Sequence, residues 1–343
     1  MIITIKQSPN LDVDDAKKIR AIENILISHG ECRHAVWMPV DIVQELLSAN
    51  RFSEYAQRIL YDLRSSVVET RGIEKNFSFH VEVDFSNAKT LQPSNNKTLI
   101  GYSHLVNATT LNKSVFLAEN LRDAEIFSLG AESYLFHNQL YRSYGISLER
   151  APGGGNTTFD YFSKLEEESK FFFCIIDSDL KHPKGPIGST AKRFSETPSG
   201  YHEKRFLRIL DCHEIENIIP LQVVRAVTNG EIEKGLTYRL NRCKEDRKHP
   251  DHKSGLSIDQ AIDQDDKYNS DHWKLYYPHK AKKGQTWIIP PLGENLLSHC
   301  LKLMSEISIE KLTEYISTEF DETWIDISKD VASWGVAAKR PIH

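Results

Sequence analysis

The sequence lacks the long apolar runs of a membrane protein. None of its apolar runs approaches the about 20 residues that a helical membrane span requires. The start, Met-Ile-Ile-Thr-Ile-Lys, has no extended apolar core of the kind found in signal peptides and is expected to form a first strand. We therefore expect no membrane partner.

Paired cysteines are also missing. The five cysteines are scattered and odd in number (Cys32, Cys174, Cys212, Cys243 and Cys300). This argues against a disulfide framework and for a reducing cytoplasm. Cys243, His249 and His252 have a loosely zinc-like spacing, but the paired spacing of a four-ligand zinc site is absent.

A net positive charge is absent as well. The formal net charge of −5 predicts no global attraction to nucleic acid. Local charge differs, because residues 181–208 hold seven Lys or Arg against two Glu, and residues 239–253 hold six against three acids. These segments are either a basic surface or ordinary solvated loops.

The apolar periodicity predicts an α/β protein. Helical patterns cover residues 12–30, with Asp14 as a cap, and residues 41–50 and 53–68, whereas residues 77–85 alternate as a half-buried strand. Polar residues 86–98 suggest a loop or domain boundary. Strands and helices then alternate, with strands at 114–118, 145–148, 171–176 and 206–210 and helices at 120–143 and 157–169. This alternation indicates a mainly parallel sheet flanked by helices.

The predicted organisation has three parts. Residues 1–98 form an α/β segment, residues 99–225 the sheet-containing domain, and residues 226–343 a mostly helical region. Within the last part, residues 242–264 are expected to be irregular, residues 273–287 to hold short strands, and residues 294–306, 309–320 and 324–338 to be helical.

Two aspartates end the most apolar strand. Residues 171–176 form an unbroken apolar run, and Asp177 and Asp179 follow it one residue apart. Open parallel sheets bind ligands at the carboxyl ends of their strands. Two neighbouring carboxylates repel each other unless a cation neutralises them, and Mg²⁺ or Mn²⁺ favours oxygen ligands. Alternatively, Asp177-Ser178-Asp179 is only a turn and helix cap.

Other strands end in the same way. Glu119 closes the strand at 114–118, and Glu214 and Glu216 follow the strand at 206–210. If these strands are parallel neighbours, their carboxylates meet at one edge. Three strands with the same ending favour a Mg²⁺- or Mn²⁺-binding site over chance capping. Asp123, one helical turn beyond Glu119, either faces this site or is a favourable acid at a helix N-terminus.

The two motifs resemble the signature of the Toprim fold. Glu119-Asn120-Leu121-Arg122-Asp123 is similar to its Glu-Gly-x-x-Asp motif, and Asp177-Ser178-Asp179 is similar to its Asp-x-Asp motif. The segment from Glu214 to Asn217 resembles the nuclease branch, which includes OLD-family nucleases and the Toprim subunit of the PARIS anti-phage system. The resemblance covers residues 114–220, and Asn120 departs from it where glycine is usual.

The resemblance implies a Toprim-like fold and a metal-dependent nuclease of DNA or tRNA-like RNA that acts in anti-phage defence. Phosphodiester cleavage needs an activated water and relief of charge, which one or two Mg²⁺ or Mn²⁺ ions supply. Glu119 is a metal ligand or general base, and a downstream lysine, Lys280 with Lys282 and Lys283 as competitors, stabilises charge. The candidate metal ligands are Glu119, Asp123, Asp177, Asp179, Glu214 and Glu216.

The expected partners follow from the same resemblance. Candidate nucleic-acid contacts are Lys181, Lys184, Lys192, Arg193, Lys204 and Arg205. Such nucleases work with an ABC-type or OLD-type ATPase, and because this sequence has no Walker A motif, the ATPase would be a separate chain. A homo-oligomer is compatible with the sequence.

A non-catalytic module that binds metal or a partner is the alternative to the nuclease function. A topoisomerase or primase fragment is disfavoured, since the sequence has neither a strand-passage tyrosine motif nor a zinc-ribbon spacing. The loop Gly153-Gly154-Gly155 is either a phosphate contact or a simple turn.

Overall fold

A computed structural model of the chain describes residues 1–11, 15–94, 96–280 and 286–342. The predicted cap Asp14 and the lysine candidates Lys282 and Lys283 lie outside these described residues. In the part of the chain that is described, no helix is both long enough and apolar enough to cross a bilayer. All five cysteines are free thiols.

The N-terminal part forms a five-stranded sheet with the order β2-β1-β3-β5-β4. Its elements are β1 (Ile2–Thr4), α1 (Ala16–Gly30), β2 (Ala35–Trp37), α2 (Val40–Ala49), α3 (Glu54–Ser66), β3 (His80–Asp84), β4 (Leu91–Pro93) and β5 (Lys97–Gly101). Only β4 runs antiparallel to its neighbour. The Asp15 side chain caps α1. The expected loop at 86–98 contains the short edge strand β4, and the first residues of β5 also lie within it.

The second sheet positions the acidic residues. The elements of this part of the chain are β6 (Ser114–Ala118), α4 (Leu121–His137), β7 (Tyr144–Ile146), β8 (Leu148–Pro152), α5 (Thr158–Glu167), β9 (Phe172–Ile176), α6 (Ser189–Lys192), β10 (Gly200–His202), β11 (Arg205–Ile209) and α7 (Leu221–Val227), of which β7 lies outside the second sheet. The strand order is β10-β11-β9-β6-β8, and all neighbours except β10 are parallel. The α/β class with mostly parallel strands is thus confirmed.

The apolar strands of this sheet are covered on both faces. Phe116, Phe173 and Phe206 point into the core shared with the N-terminal sheet. Leu117 and Cys174 point into a second core beneath α5 and α6. Burial on both faces explains why β9 is an unbroken apolar run and not an alternating one.

The C-terminal part is mostly helical. Its elements are α8 (Leu236–Arg239), α9 (Cys243–Asp246), β12 (Leu256–Ser257), α10 (Ile258–Tyr268), β13 (Trp287–Ile289), α11 (Leu296–Glu306), α12 (Ile309–Glu314), α13 (Glu322–Gly335) and β14 (Val336–Ala338). The helix α10 corrects the expectation of irregular structure at 242–264, because Ser257 and Gln260 form a capping box. Residues Lys274–His279 form a 3₁₀ helix where short strands were expected.

The three predicted parts share one hydrophobic core. Phe79 of the N-terminal part stacks on Trp334 of α13 at 4.5 Å between ring centroids, and Phe173 of β9 lies 5.8 Å from the same indole. The expected boundaries at residues 98 and 225 fall inside β5 and α7. A polar sequence segment therefore marked an exposed sheet edge, and the core continues across it.

Candidate functional site

Acidic side chains converge at the carboxyl edge of the second sheet. The parallel strands β8, β6, β9 and β11 all end at this edge. The acids that follow them, called the acidic cluster below, are Glu119, Asp123, Asp177, Asp179, Glu214 and Glu216. Burial and the repulsion between these carboxylates both raise the pKa values of Glu119 and Asp177. The structure thus brings together all six of the metal-ligand candidates.

Glu119 follows β6 and is held through its main chain. Its carbonyl oxygen accepts a hydrogen bond from the N–H of Gly154 at 2.9 Å, so the glycine-rich loop lies against the site. Burial, together with the charges of Asp179 and Asp123, raises the pKa of Glu119 to about 7. The carboxyl is therefore poised to exchange a proton near neutral pH.

Asp123 has both of the roles considered for it. Its Oδ2 accepts hydrogen bonds from the backbone N–H and the side-chain amide of Asn120 at 3.2 and 2.7 Å, which completes a capping box at the start of α4. Asn120 has extended backbone (φ −137°) and caps the helix, so no glycine is needed at this position. Asp123 Oδ1 stays buried in the cluster, and burial raises the pKa of Asp123 to about 6.

Asp177 and Asp179 lie in a loop fixed to the segment after β11. The Ser178 hydroxyl donates to the carbonyl oxygen of Cys212 at 2.5 Å, and the Asp179 N–H donates to that of His213 at 2.9 Å. Asp179 adopts a left-handed backbone (φ 56°), which aspartate tolerates better than most residues. Burial and the charges of Asp123 and Glu119 raise the pKa of Asp177 well above its usual value.

Lys253 is a functional candidate that the sequence did not reveal. Its Nζ lies 2.7 Å from Glu214 Oε2 and 3.0 Å from Glu216 Oε1. Burial opposes its charge, but the hydrogen bonds to Glu214 and the charge of Glu216 outweigh this and raise the pKa of Lys253. No motif marks this lysine, because it lies in a polar segment far along the chain.

Two carboxylate oxygens of the cluster are free to bind a cation. Glu119 Oε1 and Asp123 Oδ1 are buried and have no hydrogen-bond partner among the described residues. A buried carboxylate without a partner is unfavourable unless it is protonated or binds a cation. Oxygen donors of this type suit Mg²⁺ or Mn²⁺. The exposed Asp179 places the cluster in contact with solvent.

His213 is a second residue that sequence reasoning missed. One ligand atom each from Asp179, His213 and Glu214 lie within 4.8 Å of one another. The signal was present, since His213 directly precedes Glu214 in the same segment after β11. The trio Cys243, His249 and His252 forms no such group within the described ranges, and His249 Nδ1 is 2.9 Å from the carbonyl oxygen of Leu180.

Four of the predicted nucleic-acid contacts follow strands that end at the acidic edge. Lys181 is two residues beyond Asp179 and its Nζ is 3.5 Å from Asp251 Oδ2. Lys184 donates to the carbonyl oxygen of Asn269 at 2.9 Å. Lys192 is exposed in α6, one turn after Gly188, which contacts Asp179. Arg193 pairs with Asp160 at 2.7 Å and stacks over Phe159.

Lys204 and Arg205, two of the candidate nucleic-acid contacts, lie away from the acidic edge. Arg205 begins β11 and is paired in register with Phe172, the first residue of β9. Both residues therefore lie at the amino edge, about 13 Å of strand away from the acidic edge. They are buried, and Arg205 forms an ion pair with Glu166. Residues that precede a strand lie at its amino end, so the sequence itself contained this information.

Lys280, the lysine chosen from the sequence, pairs with Asp259 at the start of α10. No contact between Lys280 and the acidic cluster occurs in the described structure, whereas Lys253 contacts Glu214 and Glu216. A cavity of about 250 Å³ lies between α4, α12 and α13, with Trp324 and Ser328 in its wall. It has no acidic lining residue and is separate from the cluster.

Comparison of the chain with family models, with curated proteins and with solved structures finds no match.

Proposed function

We propose that the chain is a metal-dependent nuclease that binds Mg²⁺ or Mn²⁺ at the acidic cluster. The observation that carries the proposal is the convergence of carboxylates from three parallel strands around buried oxygens that have no partner among the described residues. Metal-assisted phosphodiester hydrolysis requires this kind of oxygen-rich site.

The proposed function assigns a separate role to each group of residues in the cluster. Glu119, Asp177 and Asp179 would hold the dication, and Asp123 and Glu216 would add negative charge to the same cluster. The bound dication supplies an acidified water and neutralises charge on the phosphate. Glu119, with a pKa of about 7 in the metal-free protein, is either a ligand or the group that accepts the proton of the water. Lys253 provides a positive charge next to Glu214 and Glu216.

The substrate surface would lie around the acidic edge. Lys192 is exposed beside the loop that contacts Asp179, and Lys181 is exposed two residues from Asp179. Cations at these positions attract a polyanion and release its counterions. DNA and a structured RNA such as tRNA share this chemistry, and the cleavage experiment below distinguishes between them.

The Toprim resemblance supplies the biological proposal. The adjacency of β6 and β9, each followed by its acidic motif, supports a Toprim-like arrangement. On this basis the chain would be an effector of anti-phage defence in the cytoplasm. A separate ABC-type or OLD-type ATPase would control it, and the resemblance is compatible with a homo-oligomer.

The test is incubation of the purified chain with plasmid DNA and with total RNA, in Mg²⁺ or Mn²⁺ and then in EDTA. We expect cleavage of one substrate class that EDTA abolishes. Glu119→Gln should be inactive, whereas Glu132→Gln, a half-buried glutamate of α4 near Arg150, should retain activity. Cleavage that persists in EDTA, or in Glu119→Gln, would contradict the proposal.

A second candidate is a non-catalytic module that binds metal or a partner ATPase. The ion pairs of Lys253 favour it, because they already neutralise part of the cluster. Dication binding without cleavage of DNA or RNA, also in the presence of a partner ATPase, would support this alternative.

A further inference from the structure

His213 brings an imidazole into a cluster of carboxylates. Its side chain is only 2% exposed. Its Nδ1 is buried without a hydrogen-bond partner among residues 1–11, 15–94, 96–280 and 286–342. Its Nε2 lies 3.9 Å from Glu214 Oε1, which is too long for a hydrogen bond. A buried imidazole without hydrogen bonds can still bind a ligand through its ring nitrogens.

The main chain fixes this imidazole relative to Asp179. The His213 carbonyl oxygen accepts from the Asp179 N–H at 2.9 Å, and the His213 N–H donates to the carbonyl oxygen of Lys248 at 2.8 Å. The two backbone hydrogen bonds hold His213 between the loop after β9 and the segment before Lys253. The relative positions of the donors are therefore set by the protein before a ligand binds.

The geometry of the three donors suits one small cation. Their ligand atoms lie within 4.8 Å of one another. A dication with bonds of about 2.1 Å leaves neighbouring ligands about 3–4 Å apart. Small rotations of the Asp179 and Glu214 carboxylates close that difference. Lys253 bonds Oε2 of Glu214 and leaves Oε1 on the side of His213.

The donor set determines the class of metal. Mg²⁺ prefers oxygen ligands, whereas imidazole nitrogen suits transition metals. We propose that Asp179, His213 and Glu214 form a mixed nitrogen and oxygen subsite that binds a transition-metal dication such as Mn²⁺ in preference to Mg²⁺. This inference rests on the proposed function, since it specifies the metal at the same cluster.

The test is direct binding of Mn²⁺ to the full chain, followed by electron paramagnetic resonance, with Mg²⁺ as competitor. We expect the wild-type protein to bind Mn²⁺ at least about tenfold more tightly than Mg²⁺. His213→Gln should weaken Mn²⁺ binding by at least about tenfold, the scale on which ligand-shell changes act. Its affinity for Mg²⁺ should change little. His202→Gln, which alters an exposed histidine of β10, is the matched control.

A spectroscopic measurement on the wild-type protein does not depend on whether a variant folds. Electron spin-echo modulation of bound Mn²⁺ should show coupling to an imidazole nitrogen, and this coupling should disappear in His213→Gln. Absence of nitrogen coupling in the wild type, or Mn²⁺ binding no tighter than that of Mg²⁺, would overturn the inference.

Failure of the inference and failure of the proposed function give different results. If the chain cleaves nucleic acid but Mn²⁺ shows no nitrogen coupling, only the mixed subsite is wrong. If Mn²⁺ binds with nitrogen coupling but no nucleic acid is cleaved in any dication, the subsite stands and the nuclease proposal fails.

Discussion

The backbone N–H of Asp179 donates a hydrogen bond to the carbonyl oxygen of His213 at 2.9 Å, and this bond joins the loops that follow β9 and β11. Because the two strands are parallel neighbours, both loops leave the sheet at the same edge. The bond fixes the spacing of Asp179 and Glu214 independently of any ligand. The predictions below test this arrangement and the chemistry proposed for it.

Glu119→Gln keeps the size of the side chain but removes its charge. Nuclease activity should fall by at least about a hundredfold, because the variant loses a metal ligand or a general base. Asp177→Asn and Asp179→Asn should behave in the same way. Asparagine is chosen at residue 179 because it tolerates the left-handed backbone there.

The melting temperature of these variants in EDTA separates catalysis from folding. We expect it to be unchanged or raised, since each substitution removes repulsion among crowded carboxylates. Glu132→Gln is the control for loss of a half-buried glutamate outside the cluster. Full activity in Glu119→Gln would remove its catalytic role, and a collapsed melt would point to a structural one.

Gly188→Ala should displace the Asp179 carboxylate. A Cβ at residue 188 would lie 1.8 Å from Asp179 Oδ2 and 2.6 Å from Asp179 Cβ, so the carboxylate and the loop that carries it must both move. We expect dication affinity to fall at least about tenfold, together with a lower melting temperature. The measurement is calorimetric titration with Mn²⁺. Gly145→Ala is the control, because its Cβ would meet no atom of the described structure closer than 3.9 Å. Equal affinities in both variants would contradict the prediction.

The unfolding free energy of the metal-free wild type, measured relative to that of Glu119→Gln, should fall as the pH rises from 6.5 to 8. The pKa of Glu119 is about 7 in the folded protein against an ordinary value of 4.5, so the folded state binds more protons in this interval. Raising the pH then costs about 1 kcal/mol of unfolding free energy through this group. The measurement is urea unfolding in EDTA at several pH values.

Two comparisons isolate the effect of the Glu119 carboxylate on the pH dependence of stability. The buried amino group of Met1, whose pKa burial lowers to about 4, acts in the opposite sense between pH 6.5 and 8 and is present in both proteins. Buried His29 and His252, whose pKa values burial lowers to about 4 and about 3, act in the same sense as Met1, but mainly below pH 6.5. Above pH 6.5, the slope of unfolding free energy against pH should be more positive in Glu119→Gln than in the wild type, and saturating Mn²⁺ should abolish this difference. The same slope in Glu119→Gln and wild type would exclude Glu119 as a source of the pH dependence.

Lys253→Met should destabilise the metal-free protein. It leaves Glu216, which is 2% exposed, without its cation, at a cost of about 2–3 kcal/mol. Added Mn²⁺ should restore most of this stability. Lys248→Met breaks the more exposed pair with Asp211 and should cost less than about 1 kcal/mol. Thermal melts with and without Mn²⁺ measure both effects, and equal loss in the two variants would refute the special role of Lys253.

Lys192→Glu should weaken binding to nucleic acid and reduce its dependence on salt. Lys192 is exposed near the acidic edge, and each phosphate contact contributes about one unit to the salt slope. Lys170→Glu makes the same charge change just before β9, at the amino edge, and should have little effect. The measurement is a titration in EDTA at several salt concentrations. Equal effects of the two substitutions would argue against a binding surface at the acidic edge.

The sequence by itself determined the strands that carry the site. Apolar runs ending in Glu119 and Asp177 predicted β6 and β9, because strand formation and strand ends depend on local residue pattern. It also determined that these acids would share an edge if the strands were parallel. The position of Arg205 was equally readable, since the first residue of a strand such as β11 lies at its amino end.

Only the tertiary structure decided which distant residues complete the cluster. Lys253 lies between Glu214 and Glu216, although no spacing in the sequence marks this contact. His213 is next to Glu214 in the sequence, but its proximity to Asp179 depends on the pairing of β9 with β11. The path of the chain after β11 brings them there. This path depends on packing among segments that are far apart in sequence, and such packing cannot be predicted from the local residue pattern.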